Sequence, residues 1–228
     1  MTAPGAVGQP VEGWSPRARP SFEPMQGAFC RVEALDPVRH ADALFDAYAR
    51  DTNGNNWTYL PYGPFTDRDE FRSWVAAMST GDDPRFHAVV DLTTGRAAGL
   101  ASYLRIEPAV GVIEVGHINV SPLLQRTTGA TEAMWLMMRR VFEELGYRRY
   151  EWKCDALNQP SRAAAERLGF TFEGIFRQAT ISKGRNRDTA WYSVIDSEWP
   201  ALDAAFRRWL APANFDYGTQ RRRLADLR

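Results

Sequence analysis

The sequence predicts an α+β fold organised around one mixed sheet. Segments with the period of strands and segments with the period of helices follow one another without the strict alternation of a βαβ protein. The chain has 228 residues, and chains of this size bury roughly 70 % of the surface that the unfolded chain exposes. We therefore expect one domain over residues 28–212, with an arm over 1–27 before it and a tail over 213–228 after it.

The first half of the chain begins with a Pro- and Gly-rich segment, residues 1–24, which we expect to lie over the body as an arm or to be partly disordered. Alternation over 29–35 predicts the first strand. Asp36 and Pro37 then start a helix, and the polar loop 51–56 ends it. The further elements predicted here are a second helix that begins near Thr66 and strands over 86–92, 97–106 and 112–120.

Between the first two helices lies a segment, 57–65, that is rich in aromatic residues. It also contains Pro and Gly, so it cannot form a regular helix. Its aromatic side chains either line a binding cleft or cover the sheet edge as core, and the two readings are compatible. The candidates for contact with a substrate are Trp57, Tyr59, Tyr62 and Phe65.

The second half contains a long apolar helix over 128–145, which Gly146 ends. A strand over 150–154 follows, and then a short helix that Asn158 opens as N-cap. We expect a last hairpin with strands over 176–182 and 189–195. A terminal helix over 198–210 completes the domain.

Composition narrows the function. Lys plus Arg and Asp plus Glu each total 28, so the formal net charge is zero, which argues against a dedicated nucleic-acid-binding protein. Cys30 and Cys154 are far apart and form neither a metal-ligand spacing nor a disulfide framework, so we expect a reducing cytoplasm and no metal. The sequence shows no signal peptide, and no window approaches the ~18 apolar residues of a membrane span.

Three motifs occur in the second half in a fixed order. They are E-V-G-H at 114–117, Q-R-T-T-G-A-T-E-A at 125–133, and N-x-x-S at 158–161 with R-L-G-F at 167–170. In this order and spacing they resemble the GNAT superfamily of acyltransferases over roughly residues 28–200. The likeness is greatest to the RimJ/RimL branch, the proteins similar to ribosomal-protein N-terminal acetyltransferases.

The resemblance implies a mostly antiparallel central sheet flanked by helices, and acetyl-CoA as the acyl donor. The turn at 125–130 resembles the pyrophosphate loop, in which N–H groups and a positive helix terminus face an anion. Thr128 stands where the family has a glycine, and it cannot easily take a positive φ, although its hydroxyl could bond a phosphate oxygen. The residues that the resemblance assigns to the cofactor are Asn119, Val120, Gln125, Arg126, Thr127, Thr128, Gly129, Ala130, Thr131, Asn158 and Ser161.

Acetyl transfer to an amine requires a proton acceptor, a donor to the developing oxyanion and a thiolate leaving group. Glu114 is the candidate base, directly or through water, and a salt-bridged strand carboxylate is the alternative. His117 is a second candidate, although a hydrogen-bonded core histidine is the commoner role. One extra residue between Glu114 and Pro122 suggests a bulge, without which Glu114 and His117 would lie on opposite faces. Ser161 is the candidate proton donor to the thiolate.

The leading hypothesis is a coenzyme A-dependent N-acetyltransferase in which a primary amine, of a small molecule or a protein N-terminus, attacks directly in a ternary complex. The aromatic segment favours a small or partly apolar acceptor. The alternatives are a non-catalytic acyl-CoA-binding module and the same fold with a longer acyl donor. Cys154 is interpreted as an inert thiol and 185–188 as a solvated turn. The resemblance is the only reason to expect a homodimer.

Overall fold

The computed structural model describes residues 7–216 and 218–228. The strands are β1 Met25–Gln26, β2 Cys30–Ala34, β3 Arg85–Asp91, β4 Arg96–Glu107, β5 Val112–Val120, β6 Arg149–Asp155, β7 Thr171–Ser182, β8 Arg185–Ile195, β9 Phe215–Asp216 and β10 Thr219–Gln220. The α-helices are α1 Pro37–Tyr48, α2 Arg68–Ser79, α3 Thr128–Arg139, α4 Gln159–Leu168 and α5 Trp199–Leu210. Single 3-10 turns occur at Asn55–Trp57, Pro212–Asn214 and Leu224–Leu227, and a π-helical turn, Arg140–Glu144, continues α3.

Eight strands form one sheet in the order β1-β2-β3-β4-β5-β6-β8-β7, and β9 pairs only with β10. Every neighbouring pair in the large sheet is antiparallel except β5 and β6. These two pair only from Val112 with Arg149 to Val115 with Trp152. Beyond that point the strands separate, so the carboxyl half of β5 lacks a strand neighbour on one side.

The helices cover both faces of the sheet and define two cores. On one face, α3 and α5 pack with the inward side chains of β5, β6 and β8, among them Ile113, Val115 and Trp152. On the other face, α1 and α2 pack with Phe86 and its neighbours in β3 and β4. We call these the α3 face and the α1 face.

A β-bulge interrupts β5 at His117. Ser102 of β4 faces Gly116, but Leu100 faces Asn119, so β5 carries one more residue than β4 in this interval. His117 has a φ of 50°, which is the left-handed conformation that a bulge residue adopts. The extra residue confirms the bulge predicted from the spacing, and it changes which face the later side chains point to.

Local capping explains where the helices begin. Asp36 accepts N–H groups of α1, Asp67 accepts the N–H of Glu70 at the start of α2, and Asn158 accepts the N–H of Ser161 in α4. Gly169 ends α4 with a φ of 98°, which glycine adopts without strain. The three starts match the predicted ones.

Two predicted boundaries need correction. The last hairpin is longer than predicted, since β7 begins at Thr171 and β8 at Arg185. The prediction that 185–188 is a turn is therefore wrong, and the tip of the hairpin is Lys183–Gly184. Charged residues at both ends of this hairpin hid its length, because β7 is an edge strand that is exposed along nearly all of its length.

The segments outside the predicted domain lie on the body where the structure describes them. In the arm, Trp14 donates from Nε1 to Ala109 O at 2.7 Å, and Arg17 donates from Nε to Gly146 O at 3.0 Å. In the tail, Leu224 and Leu227 are buried. Residues 1–6 of the predicted arm and residue 217 of the predicted tail lie outside the described residues.

Glu132 fastens the start of the sheet to α3. This buried carboxylate accepts the backbone N–H groups of Ala28, Phe29 and Cys30 at 2.8, 2.7 and 2.8 Å. Such bonds stabilise the buried charge, and they give the N–H groups between β1 and β2 their hydrogen-bond partner. Because α3 is the helix whose first turn borders the free half of β5, the tether helps to fix the floor of the site.

Candidate active site

The separation of β5 from β6 opens a gap between the two strands, and it leaves one edge of β5 free. Ser121 donates its N–H to Ala98 O at 3.1 Å, so the residues that alternate with it, including Asn119, also direct their N–H groups to β4. Val120 lies between them, and its N–H points to the free edge. Of Asn119 and Val120, both assigned to the cofactor, Val120 is thus the one whose N–H faces the gap.

The first turn of α3 presents a second group of donors beside this edge. Thr127 caps the helix by accepting the Ala130 N–H at 3.3 Å. Within the described chain, the N–H groups of Thr128 and Gly129 have no hydrogen-bond partner, and they point out of the helix terminus. Arg126, with a φ of 61°, takes the left-handed conformation in this loop, so Thr128 needs no positive φ.

Two other residues assigned to the cofactor, Gln125 and Thr131, form hydrogen bonds that support the loop 125–130. Gln125 donates from Nε2 to Val120 O and to Asn56 Oδ1, both at 2.9 Å. Thr131 is buried and accepts from Arg167 Nη2 at 3.0 Å. These contacts hold the loop in place and leave the N–H groups of Thr128 and Gly129 free.

Asn119 is buried in the same region. Its side-chain amide has no hydrogen-bond partner among the described residues, on either the nitrogen or the oxygen. A buried amide without partners is costly, so this position is suited to a polar group that enters the cleft.

Ser161 lies across the gap from β5, on the α3 face. Its Oγ accepts from Trp152 Nε1 at 3.0 Å, so its own hydrogen remains free to donate. Burial raises the pKa of the neighbouring Cys154 thiol, and the Ser161 hydroxyl opposes that effect. This environment keeps Cys154 protonated and inert at neutral pH.

Glu114 is buried on the α1 face within a chain of ion pairs. It contacts Arg105 Nη1 at 2.6 Å and Lys153 Nζ at 2.9 Å. Lys153 also contacts Glu151 Oε2 at 2.7 Å, and Arg149 contacts Glu151 Oε1 at 2.7 Å. The alternative named above, a salt-bridged strand carboxylate, therefore describes the contacts of Glu114.

The bulge brings His117 to the α1 face, the same face as Glu114. Its ring lies 4.9 Å from that of Phe86 and its Nδ1 lies 3.1 Å from Tyr62 Oη. Burial lowers the pKa of His117 to about 4, and the positive charges of Arg105 and Arg187 add to the effect. The imidazole is thus neutral at pH 7 and hydrogen-bonded to a tyrosine whose own pKa burial raises.

The aromatic segment forms a roof over the gap. Trp57 is buried against Tyr48, with ring centroids 5.0 Å apart, and Phe65 packs on Trp57 at 5.5 Å. Tyr59 donates from Oη to Leu157 O at 3.1 Å. Trp57 is therefore core, while Phe65 and Tyr62 are half-buried against that core and Tyr59 is half-buried at Leu157.

Some residues of the site were missed in the sequence because their partners lie on other strands. Lys153 alternates with the buried Trp152 and Cys154, and that charge in a buried strand was the available signal. Lys183 at the hairpin tip donates to Trp57 O at 2.9 Å and Gly63 O at 3.3 Å. No pattern along the chain predicts that contact.

Residues 7–216 and 218–228 contain no group of His, Cys, Asp or Glu side chains placed to hold a metal ion. Over the same residues, no helix combines the length and the apolar character needed to cross a membrane.

Comparison with known proteins gives a consistent result. The model of the acetyltransferase (GNAT) domain family matches residues 34–171. A GCN5-related N-acetyltransferase from Brucella melitensis is 49% identical, covers 95% of this chain and 99% of its own, and has a TM-score of 0.93. The uncharacterized N-acetyltransferase p20 of Bacillus licheniformis is 27% identical over 148 residues, which are 62% of this chain and 80% of that protein.

A structure from Salmonella typhimurium, of the acetyl transferase that modifies the N-terminal serine of 50S ribosomal subunit protein L7/L12, shares the fold at 23% identity and a TM-score of 0.64. It covers 76% of this chain and 99% of its own. The resemblance to the RimJ/RimL branch, the α+β fold and the assignment as an enzyme are confirmed. The family model spans more than half of the chain, and the parted strands, the open helix terminus and the motif order agree with it: this chain is a GNAT acetyltransferase.

Proposed function

We propose that the chain is an acetyl-CoA-dependent N-acetyltransferase in which a primary amine attacks the thioester directly, in a ternary complex. The observation that carries the proposal is the free edge of β5 beside the uncapped first turn of α3. Acetyl-CoA supplies the acetyl group as a thioester. Every other requirement of the reaction falls to residues of the chain.

Two groups of donors fit the two ends of such a molecule. The N–H groups of Thr128 and Gly129, with the positive end of α3, suit a diphosphate. The N–H of Val120 suits the developing oxyanion, because a donor fixed in a strand needs no reorganisation during the reaction. The unpartnered Asn119 amide and the Asn158 side chain are the further polar groups that we assign to the donor.

Proton transfer divides between the two faces of the gap. On the α1 face, Glu114 accepts the proton of the ammonium through water, and neutral His117 orients the amine with Tyr62. The ion pairs of Glu114 with Arg105 and Lys153 hold its carboxylate in place. On the α3 face, Ser161 donates to the thiolate, which needs only a weak acid because a thiol has a pKa near 8.5.

The acceptor is a primary amine. The hydrogen bonds of Tyr59 and Lys183 close the roof over the gap, which favours a small amine over a folded protein. The N-terminus of a ribosomal protein, on which the Salmonella typhimurium neighbour acts, is the competing acceptor.

Binding of acetyl-CoA is tested with Thr128→Glu. A carboxylate in the first turn of α3 favours the helix but repels a diphosphate at the same place. We expect titration calorimetry to show binding to the native chain and at least about tenfold weaker binding to the variant, a difference of about 1.4 kcal/mol. Thermal unfolding should show equal or higher stability for the variant.

Thr128→Ser is the matched control and should bind as the native chain does. Mass spectrometry with acetyl-CoA and a set of amines then measures transfer. Failure of the native chain to bind acetyl-CoA would refute the proposal. Binding without transfer to any amine would point instead to a non-catalytic acyl-CoA-binding module, and preference for a longer donor in competition would identify a different acyl group.

A further inference from the structure

Arg187 is a cation in the wall of the gap that the proposed reaction does not use. It lies in β8, opposite Thr180 of β7, and its side chain is half-buried. Its Nε is buried without a hydrogen-bond partner. In the described part of the chain, no carboxylate forms an ion pair with it, whereas Arg105 and Arg149 each have a carboxylate partner.

The strand register places Arg187 at the open end of the gap. β6 ends at Asp155, which pairs with Thr189, and Ala156 donates its N–H to Asp188 O at 2.8 Å. Arg187 is therefore the next residue beyond the last contact of β8 with β6. Arg187 is also the first residue of β8, counted back from Thr189, that has no neighbour on the side where β6 lies.

The aromatic segment 57–65 contacts two positions near Arg187. Lys183, four residues earlier, donates to Trp57 O and Gly63 O. Tyr59 donates to Leu157 O, in the loop that follows β6. Arg187 thus lies beyond the end of β6, close enough to His117 for its charge to act on the imidazole.

The other cations near Glu114 and Glu151 already have partners. Arg105 and Lys153 face Glu114, and Lys153 and Arg149 face Glu151. Arg149 also pairs with Glu173. Arg187 remains as a half-buried cation, and its buried Nε lacks the hydrogen bond that a buried donor normally makes.

We propose that Arg187 binds a carboxylate of the acceptor, so that the acceptor is a small molecule with an amine and a carboxylate close together, as in an amino acid. The guanidinium presents its donors as a planar fork that matches a carboxylate. This inference rests on the proposed function, since it names the acceptor of the same site.

The test compares matched amines. For each of several side chains, the native enzyme is offered the amino acid, its carboxamide and the amine without the carboxyl group. We expect the amino acid to have a kcat/KM about tenfold or more above those of its two analogues. Arg187→Met should remove that preference while leaving the KM for acetyl-CoA unchanged.

Arg185→Met is the matched control, because Arg185 lies in the same strand but is exposed, and it should keep the preference. Arg187→Lys retains the charge without the fork, so it should keep part of the preference, and it decides the matter if Arg187→Met does not fold. Equal rates for the acid, the amide and the amine with the native enzyme would overturn the inference. So would an unchanged preference in Arg187→Met.

A direct binding measurement separates this inference from the proposed function. Calorimetry of the amino acids alone should show binding to the native chain and loss of binding in Arg187→Met. If no carboxylate binds while acetyl-CoA binds and other amines are acetylated, the inference fails and the proposed function stands. If acetyl-CoA does not bind, the proposed function fails, and amino acid binding decides the role of Arg187 by itself. If Arg187→Met loses acetyl-CoA instead of the amino acid, Arg187 belongs to the donor and the inference is wrong.

Discussion

Glu114 is a buried carboxylate with a structural role in a chain of ion pairs and a proposed role as the base. Arg105 and Lys153 hold it in place. An ion-paired carboxylate still accepts a proton through water if the amine is held close by. The two roles predict different consequences of removing the charge, so substitution distinguishes them.

Glu114→Gln should lower kcat at neutral pH by about tenfold or more if the carboxylate takes the proton, with unchanged affinity for acetyl-CoA. Unfolding should become easier by about 2 kcal/mol, because Lys153 keeps Glu151 as a partner but Arg105 loses its own. Steady-state kinetics across pH and urea unfolding provide the measurements.

Glu151→Gln is the matched control for this substitution. It removes a buried carboxylate from the same lysine, so it should cost similar stability while leaving kcat unchanged. Equal losses of kcat in both variants would mean that the ion-pair chain, and not Glu114 itself, supports the reaction. Unchanged turnover in Glu114→Gln at every pH would remove Glu114 as the base.

Single residues show which parts of the site the sequence could predict. Asn158 was recognised as a cap, and its Oδ1 accepts the Ser161 N–H at 3.2 Å, because a cap acts on its own neighbours in the chain. Arg187 was interpreted as part of a turn. Its role depends on which strand ends beside it, and no local pattern reports that.

At the scale of elements, α3 is positioned by the tether from Glu132. Three N–H groups of the turn between β1 and β2 point to this one carboxylate. Each of these three hydrogen bonds needs an oxygen of residue 132 as its acceptor. Glutamine has the same length but offers one oxygen and one donor nitrogen.

Glu132→Gln should therefore lower the free energy of unfolding by about 2–4 kcal/mol, since a buried, fully satisfied carboxylate becomes a buried amide that faces donors. Urea unfolding monitored by tryptophan fluorescence measures the change. Glu143→Gln, at an exposed carboxylate near the end of the same helix, should stay within about 0.5 kcal/mol of the native chain. A loss in Glu132→Gln no larger than in this control would show that the tether contributes nothing to stability.

The elements themselves were predictable to different degrees. The starts of α1, α2 and α4 follow from Asp36, Asp67 and Asn158, whose capping depends only on nearby sequence. The extent of β7 and β8 did not follow, because an edge strand needs no apolar alternation when both faces meet solvent. The π-helical turn was also missed, since its Leu145 N–H bond to Arg140 O at 3.0 Å differs from an α-helical bond by only one residue.

At the scale of the whole molecule, all three histidines lie in environments that oppose protonation. Burial lowers the pKa of His40, of His87 to about 3 and of His117 to about 4. In the unfolded chain these groups return to an ordinary pKa of about 6.5. Between these values the unfolded chain binds more protons than the folded one, so stability rises with pH in that window.

The free energy of unfolding should thus fall as the pH is lowered from 7.5 to 5.0, by about 2 kcal/mol for each of His87 and His117. Carboxylates protonate mostly at lower pH and contribute little in this range. Urea unfolding at the two pH values measures the effect. His87→Gln removes one of the groups and should remove the part of the pH dependence that His87 contributes, about 2 kcal/mol. Stability that is equal or higher at pH 5.0 would contradict the neutral state of these side chains.

The extra residue at His117 shifts the alternation of side chains in β5 by one position, so the two halves of the strand alternate differently. Before it, the alternation serves packing, with Ile113 and Val115 turned into the core. After it, His117 and Asn119 share the side that Glu114 occupies. Deleting one residue at this point would restore a single phase and turn the later side chains away from the cleft, with the strand's composition almost unchanged. Gain or loss of one codon is thus a route, separate from substitution, by which a strand of this architecture acquires or discards a polar wall.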